Sequence, residues 1–337
     1  MTQQLTTIEQ KLAQLALSIG AIKVTDHKNP FTWASKWKTP MYNDNRKHLG
    51  FHTNREVILH SLGKTTREIE AHTGSEFDYI LGTSTSAIAW GALLAHDLDK
   101  RFIITHGGQV YEFINLEGTP GHQTDVPLLT NAPWGIPNSV IDAHYRKRPF
   151  MYQRSERKTH GMENKIEGNP EKDSTIDTNA LTPVLPEHTV LEKIESYFDK
   201  EEYNFKVSEV GVGAAVVNNL TNLNSKKVLI IEDLISTGGS TLKEVGICRK
   251  YGGIVTDIIA IYNYEFPVAL QKAKDAEVTI HNLLTYEKLL EVAIKENYIS
   301  EDKLEILREW REDPEAWSDK YCGTNFTNNG YEKLAGV

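Results

Sequence analysis

Residues 228–241, VLIIEDLISTGGST, decide the fold of this chain. Val228 to Ile231 is a short run of β-branched and leucine side chains, which reads as a strand buried on both faces of a parallel sheet. Glu232 and Asp233 follow at its carboxyl end, and Ser236, Thr237, Gly238, Gly239, Ser240 and Thr241 continue as a hydroxyl-and-glycine loop. Ligands of open α/β sheets bind in the crevice at that edge. Leu242, Val245 and Cys248 then recur at helical spacing, with Ser240 or Thr241 able to act as N-cap.

Free N–H groups at a helix start, beside glycines that let backbone approach closely, hold a phosphate. The two carboxylates would repel that phosphate, so their partners are hydroxyl groups or a hydrated divalent cation. A phosphorylated sugar diol satisfies both requirements. Neither a Walker A loop nor a G-x-G-x-x-G dinucleotide fingerprint occurs in the chain. The order acid-acid, two apolar residues, S-T-G-G-S-T instead resembles the 5-phosphoribosyl-1-pyrophosphate (PRPP) signature of the type I phosphoribosyltransferases.

Working outward, residues 77–95 form a second strand–loop–helix unit. Phe77 to Leu81 reads as the strand, Ile88 to Ala95 as the helix, and Gly82, Thr83, Ser84, Thr85, Ser86 and Ala87 as a small hydroxyl-rich turn between them. Its backbone N–H groups could reach a second phosphate, although a tight turn that binds nothing fits equally well. Residues 29–46 interleave aromatic and cationic side chains with Pro30 and Pro40, which predicts an irregular hairpin or loop rather than a helix. Such a hairpin is most simply a lid on the core. As a functional element, Phe31, Lys38, Tyr42 and Arg46 could stack on a flat ring and neutralise an anion. Residues 154–168 are the densest cationic stretch in an acidic chain, with Arg154, Arg157, Lys158 and His160 followed by Gly161 and Gly168. Alone this would be a solvated loop; beside a phosphate site it is a lid able to neutralise a departing pyrophosphate and exclude water.

The 337 residues carry a formal net charge of −9, with pI about 5.8. No basic field recruits nucleic acid, so an anion site must be built locally. Cys248 and Cys322 are the two cysteines and form no C-x-x-C pair, which argues against a disulfide framework or structural zinc. The first twenty residues read as a polar amphipathic helix without a basic leader or cleavage site, and no run of ~20 apolar residues is long enough for a span. The expectation is a cytoplasmic protein that binds neither membrane nor nucleic acid.

Further elements are expected as a helix over 54–73, a strand over 101–106 with a hairpin partner over 109–114, and a strand over 149–153. A helix over 187–198, a strand over 255–262 and helices over 265–276 and 303–310 complete the list. Residues 115–145, rich in Gly, Pro and Asn, read as a surface excursion, and 145–148 as a solvated strand end. Residues 169–186 read as a loop. His48 and His52 stand four apart as metal ligands can, but Gly50 between them and the lack of a neighbouring third ligand make coincidence the better reading.

Four stretches in order are similar to the orotate phosphoribosyltransferases: residues 31–46 to the hood segment, 82–91 to the pyrophosphate loop, 152–168 to the Y-x-R-S-x-x-K-x-H-G catalytic loop, and 228–241 to the PRPP loop. The resemblance implies an α/β fold with a parallel sheet flanked by helices, divided into an N-terminal helix and hood (1–60) and a core (61–337). The core would carry insertions at about 105–145 and 169–223. It implies transfer of a phosphoribosyl group from PRPP to orotate with Mg²⁺ carried by PRPP and no direct metal ligand. By the same resemblance Glu232 and Asp233 hold the ribose hydroxyls, Ser236 to Ser240 the 5-phosphate, and Thr83 to Ala87 the pyrophosphate. Arg154, Lys158 and His160 would reach across a homodimer interface to the partner's site. Lys36 stands where the hood pattern has glycine, and Ala34 where some members place an orotate-contacting lysine. A transferase for a purine or nicotinate, or a PRPP sensor, therefore stays open at this point, as does a partner-binding role for the insertions.

Overall fold

The computed structural model describes residues 7–33, 37–113, 128–131, 136–145, 147, 150–153, 166–167, 205–207 and 216–324. Helix α1 (Ile8–Ser18) is held at its start by a reciprocal capping box between Thr7 and Gln10. Strand β1 (Ile22–Val24), hairpin strands β2 (Phe31–Thr32) and β3 (Lys38–Thr39), and strand β4 (Met41–Asn43) follow. β4 returns antiparallel onto β1, and β2 pairs with β3, so of the two forms expected over 29–46 the hairpin is the one present. A 3-10 turn, Asn45–Gly50, leads into helix α2 (His52–Thr73), which stops at Gly74 in the left-handed conformation (φ +65°).

The core begins with β5 (Tyr79–Gly82), α3 (Ile88–Asp97), β6 (Arg101–His106) and β7 (Gln109–Phe113). Then come β8 (Leu128–Asn131), α4 (Ile136–Tyr145), β9 (Phe150–Gln153), β10 (Ile166–Glu167), β11 (Phe205–Val207) and β12 (Val216–Leu220). The last third supplies β13 (Val228–Ile235), α5 (Gly239–Lys250), β14 (Asp257–Asn263), α6 (Pro267–Asp275) and β15 (Thr279–Thr285). Helices α7 (Tyr286–Lys295), α8 (Glu301–Glu312) and α9 (Pro314–Cys322) close the described chain.

Eight strands form the main sheet in the order β11-β12-β7-β6-β5-β13-β14-β15. The run from β6 to β15 is parallel, and β7, β12 and β11 extend it antiparallel. β8, β9 and β10 make a separate three-stranded sheet. The β6–β7 hairpin turns through Gly107 and Gly108, both at positive φ, as a two-residue turn demands. Alternate residues of the parallel strands feed two cores. Ile80, Phe102, Leu229, Ile231 and Ile259 face one, under α1, α2, α3 and α7. Leu81, Ile103, Val228, Ile230 and Ile258 face the other, with Val245 and Cys248 of α5 and Ala269 and Ala273 of α6.

Four readings change. β13 does not end at Ile231 but runs through Glu232 and Asp233 to Ile235, because β14 continues to pair with it. β15 was not foreseen: its sequence, TIHNLLT, lacks a clean apolar run, and its pairing with β14 supplies the order. Residues 136–145, expected in a surface excursion, form α4 with Ile136, Val140, Ile141 and Ala143 buried. Tyr145 accordingly ends a helix, not a strand. The helix expected over 187–198 lies outside the described residues. Among the described residues no helix is long and apolar enough to cross a membrane.

Candidate functional site

The chain leaves β5 for β6 on one side, and later leaves β13 for β14 on the other, so the sheet's switch point lies between β5 and β13. β5 stops at Gly82, opposite Ile231, whereas β14 follows β13 as far as Ile235. Glu232 and Asp233 therefore sit just past the end of one neighbour while still held straight by the other. Both are buried.

Glu232 is the centre of the arrangement. Its Oε1 accepts from the Thr83 hydroxyl at 2.6 Å and from the Asp233 N–H at 3.0 Å, and its Oε2 accepts from the Thr241 hydroxyl at 2.7 Å. One carboxyl group thus joins the turn after β5, the strand β13 and the first turn of α5. Burial raises its pKa well above the ordinary glutamate value, the neighbouring Asp233 charge pushes the same way, and the two threonine hydroxyls offset part of the rise.

Ser236 and Thr237 are half-buried in the loop after β13. Gly238 turns the chain at φ +74°, and its carbonyl accepts the first helical bond, from Leu242 N at 3.0 Å. Gly238 is the N-cap of α5, not Ser240 or Thr241, which lie inside its first turn, and among the described residues no side chain caps it. Gly239 and Ser240 are exposed, and a Cβ on Gly239 would meet nothing within 4 Å. An open helix start with uncovered backbone N–H groups can take an anion. Thr241, on the inner side, is committed to Glu232.

The turn of Thr83, Ser84, Thr85, Ser86 and Ala87 is pressed between β5 and α3. A Cβ on Gly82 would lie 2.5 Å from the Ala87 carbonyl oxygen and 2.8 Å from the Ile88 Cα, and one on Gly91 would lie 2.8 Å from the Gly82 Cα. These glycines are what allow strand and helix to touch. Thr83 is buried, Ser84 is exposed, and Thr85 and Ser86 are half-buried. The Ser84–Thr85 peptide is cis. Ser84 Oγ donates to the Thr105 carbonyl at 2.8 Å, and the Thr105 hydroxyl donates in turn to Glu244 of α5. Thr105 and Glu244, not singled out from sequence, so link the turn after β5 to helix α5 a second time.

The hood separates its four candidates. The rings of Phe31 and Tyr42 lie 5.6 Å apart, and Arg46 Nη2 is 3.5 Å from the Tyr42 hydroxyl while its Nε donates to Asp44 at 2.7 Å. Lys38 does not join them. It pairs with Thr32 across the hairpin while Phe31 pairs with Thr39, so the side chains of Lys38 and Phe31 leave opposite faces. Its Nζ donates instead to the Thr32 hydroxyl at 2.9 Å. Asn45, also missed, donates from Nδ2 to the Asp233 carbonyl at 2.6 Å and ties this end of the hood to β13. No sequence periodicity signals that contact, since 188 positions separate the two residues.

Arg154, Lys158 and His160 lie outside the described residues, as do Ala34 and Lys36. The stretch 154–165 is bracketed by an antiparallel pair: Gln153 of β9 faces Ile166 of β10, and Tyr152 faces Glu167. His48 is buried in the 3-10 turn with Nδ1 3.0 Å from Asn54 Nδ2, and His52 starts α2 beside Glu56. Among the described residues no three His, Cys, Asp or Glu side chains are grouped to hold a metal ion.

No family model matches the chain. Curated relatives do. Orotate phosphoribosyltransferase of Bacteroides fragilis is 32% identical over 92% of this chain and 97% of its own length. The enzyme of the same name from Porphyromonas gingivalis is 30% identical over 92% and 98%, and that of Listeria monocytogenes 27% over 92% and 99%. Among solved structures, orotate phosphoribosyltransferase from Aeropyrum pernix superposes with a TM-score of 0.42 at 17% identity, covering 86% of this chain and 99% of that one.

Proposed function

This chain belongs to the orotate phosphoribosyltransferase family, and from that membership we propose how its residues divide the work. The reaction moves the phosphoribosyl group of PRPP onto orotate, giving orotidine 5′-monophosphate and pyrophosphate in pyrimidine biosynthesis. The choice between bases that the sequence left open is answered by these relatives.

The open start of α5, from Ser236 to Ser240, takes the 5-phosphate. The turn of Thr83 to Ala87 takes the pyrophosphate end. Asp233, between them, faces the ribose hydroxyls, while Glu232 is occupied by Thr83 and Thr241 and acts as the residue that fixes the spacing of the two loops. This single carboxyl bonded to both phosphate loops is the observation that carries the assignment, because PRPP has phosphates at both ends and a diol in the middle. Phe31 and Tyr42 present aromatic faces to the base, with Arg46 and Asp44 supporting Tyr42.

Mg²⁺ is carried in on the PRPP oxygens. The hydroxyl-lined turn of Thr83 to Ser86 fits a hydrated, ligand-held cation better than a dedicated protein cage would. When bound, Mg²⁺ neutralises part of the diphosphate charge. Ribosyl transfer develops positive charge on the sugar and negative charge on the leaving group, so the fixed Asp233 carboxylate and a cationic group on the pyrophosphate stabilise opposite ends of one transition state. Arg154, Lys158 and His160 are assigned to the leaving group, reaching the partner's site in a homodimer. The expected setting is the cytoplasm, with neither nucleic acid nor membrane as partner.

The test is pyrophosphate release with PRPP and Mg²⁺ against orotate, uracil, purine bases and nicotinate, with Lys158→Ala alongside. Turnover with orotate that is lost in the variant supports the full assignment. Turnover retained in Lys158→Ala overturns the role of the basic loop.

A further inference from the structure

The hood hairpin is held from outside by the C-terminal helices. The Lys38 N–H donates to Ser318 Oγ at 3.0 Å, and the Lys38 carbonyl accepts from Trp310 Nε1 at 2.9 Å. Next to it, Trp37 Nε1 donates to Glu315 Oε1 at 3.2 Å. Ser318 and Glu315 are buried polar residues on α9, and Trp310 on α8 is fully buried. The Ser318 hydroxyl is oriented by donating to the Pro314 carbonyl at 2.6 Å, which leaves its lone pair for Lys38. Burial raises the Glu315 pKa, and the Trp37 indole opposes the rise.

These contacts fall on one face of the hairpin and on its backbone. Trp33 and Trp37 stack with centroids 6.3 Å apart, and Trp33 packs edge-on to Tyr264 at 5.0 Å and to Trp310 at 5.4 Å. Phe31 lies on this same face, two residues before Trp33. A two-stranded hairpin of two residues per strand has little rigidity of its own. Its position over the sheet edge is therefore set by what grips β3, and that grip comes from residues more than 270 positions away.

We propose that Ser318, Trp310 and Glu315 are positioning residues for the base: by fixing β3 they fix its partner Phe31 against Tyr42, and so set the affinity for orotate without touching it. The inference rests on the reading of the hood as the base-binding element. It predicts a split between the two substrates. The PRPP loops are built on β5, β13, α3 and α5 and share no bond with α8 or α9 among the contacts described, so PRPP affinity is independent of the grip.

The experiment measures KM for orotate and for PRPP, with kcat, in Ser318→Ala, Trp310→Phe, Glu315→Gln and Glu315→Leu, with Phe31→Ala as reference. Ser318→Ala and Trp310→Phe each remove one bond to Lys38 and keep most of the packing. Both are expected to raise the orotate KM at least threefold, with the PRPP KM and kcat within twofold of the parent. Glu315→Gln keeps an acceptor for Trp37 and should match the parent; Glu315→Leu should raise the orotate KM. If Phe31→Ala raises the orotate KM but Ser318→Ala, Trp310→Phe and Glu315→Leu do not, the positioning role is wrong and the hood reading stands. An unchanged orotate KM in Phe31→Ala removes the hood reading itself. Equal changes in both KM values reduce α8 and α9 to general stability and overturn the proposal.

Discussion

The Thr83 hydroxyl donates a 2.6 Å hydrogen bond to the Glu232 carboxyl across 149 positions of sequence, joining the turn after β5 to the strand whose far end carries the open helix start. With Thr241 bonded to the other carboxyl oxygen at 2.7 Å, the distance between the two proposed phosphate loops is fixed before any ligand arrives. Substrate binding then spends little on ordering them.

Replacing Glu232 separates this positioning role from charge. Glu232→Gln removes the charge and keeps partners for both threonines, so it should fold with near-parent stability. Glu232→Ala strands two buried hydroxyls and the Asp233 N–H, at about 1–3 kcal/mol for each unsatisfied group. A raised folded pKa means the folded state holds a proton that the unfolded state has released. Stability from this group is full below the ordinary value of 4.5 and falls as pH rises toward the folded pKa. Urea unfolding of parent and Glu232→Gln across pH 5–8 should show the parent losing relative stability as pH rises.

Gly239→Ala should divide folding from binding. Nothing lies within 4 Å of the new Cβ, and alanine favours the helix by up to ~1 kcal/mol over glycine, so the melting temperature should hold or rise. The methyl group would stand at the helix start proposed to take the 5-phosphate. The expected result is a PRPP KM raised roughly tenfold, or about 1.4 kcal/mol of binding. Unchanged PRPP kinetics would remove the phosphate from this helix start.

Gly82→Ala should do the reverse. Its Cβ would meet backbone of Ala87 and Ile88 at 2.5 and 2.8 Å, and backbone cannot rotate away as a side chain can. Overpacking of this kind costs about 1–3 kcal/mol, and α3 would have to move off β5. A lower urea midpoint is expected, together with weaker PRPP binding from a displaced turn.

His48 gives an acid-side dependence. Burial lowers its pKa from 6.5 to about 4, against a smaller opposing pull from Asp44. The unfolded chain takes up a proton in that window and the folded chain does not, so stability is full above 6.5 and is lost as pH falls toward 4. The loss is about 1.4 kcal/mol per pH unit, roughly 3 kcal/mol across the window. It runs opposite to the Glu232 contribution, which is why each must be isolated by variant. His48→Gln should flatten the parent's slope between pH 6.5 and 5 by about one proton's worth; an equal slope would refute it.

The proposed sharing of sites across a homodimer predicts complementation. Asp233→Asn and Lys158→Ala homodimers should each be nearly inactive. Mixed and re-associated, they should recover about a quarter of parental activity, since half the dimers are hybrid and each hybrid has one intact site of two. No recovery, with exchange verified by mass, would place the basic loop over its own subunit's site.

Much of this was readable in the chain because the decisive chemistry is local. An apolar strand, two acids and a glycine-hydroxyl turn are contiguous at 228–241, and the turn at 82–87 repeats the plan. Helices α2 and α3 followed from spacing of apolar residues. The misreadings had physical causes too. Helix α4 carries Pro137 and Asn138 near its start and lies beside a Gly- and Pro-rich stretch, so composition hid a segment whose buried face is Ile136, Val140 and Ile141. Strand β15 alternates weakly and owes its state to β14.

By itself, then, the sequence determined the strand–loop–helix units, the hydroxyl-and-glycine make-up of their loops and the acids beside them, all set by residues close enough along the chain to act through backbone geometry. Tertiary structure alone decided which loops meet, that Glu232 is spent on Thr83 and Thr241, that hairpin register sends Phe31 and Lys38 to opposite faces, and that α8 and α9 grip the hood. Those outcomes depend on strand order and on side-chain direction with a period of two, and a one-residue change in register would reverse them without altering any local pattern.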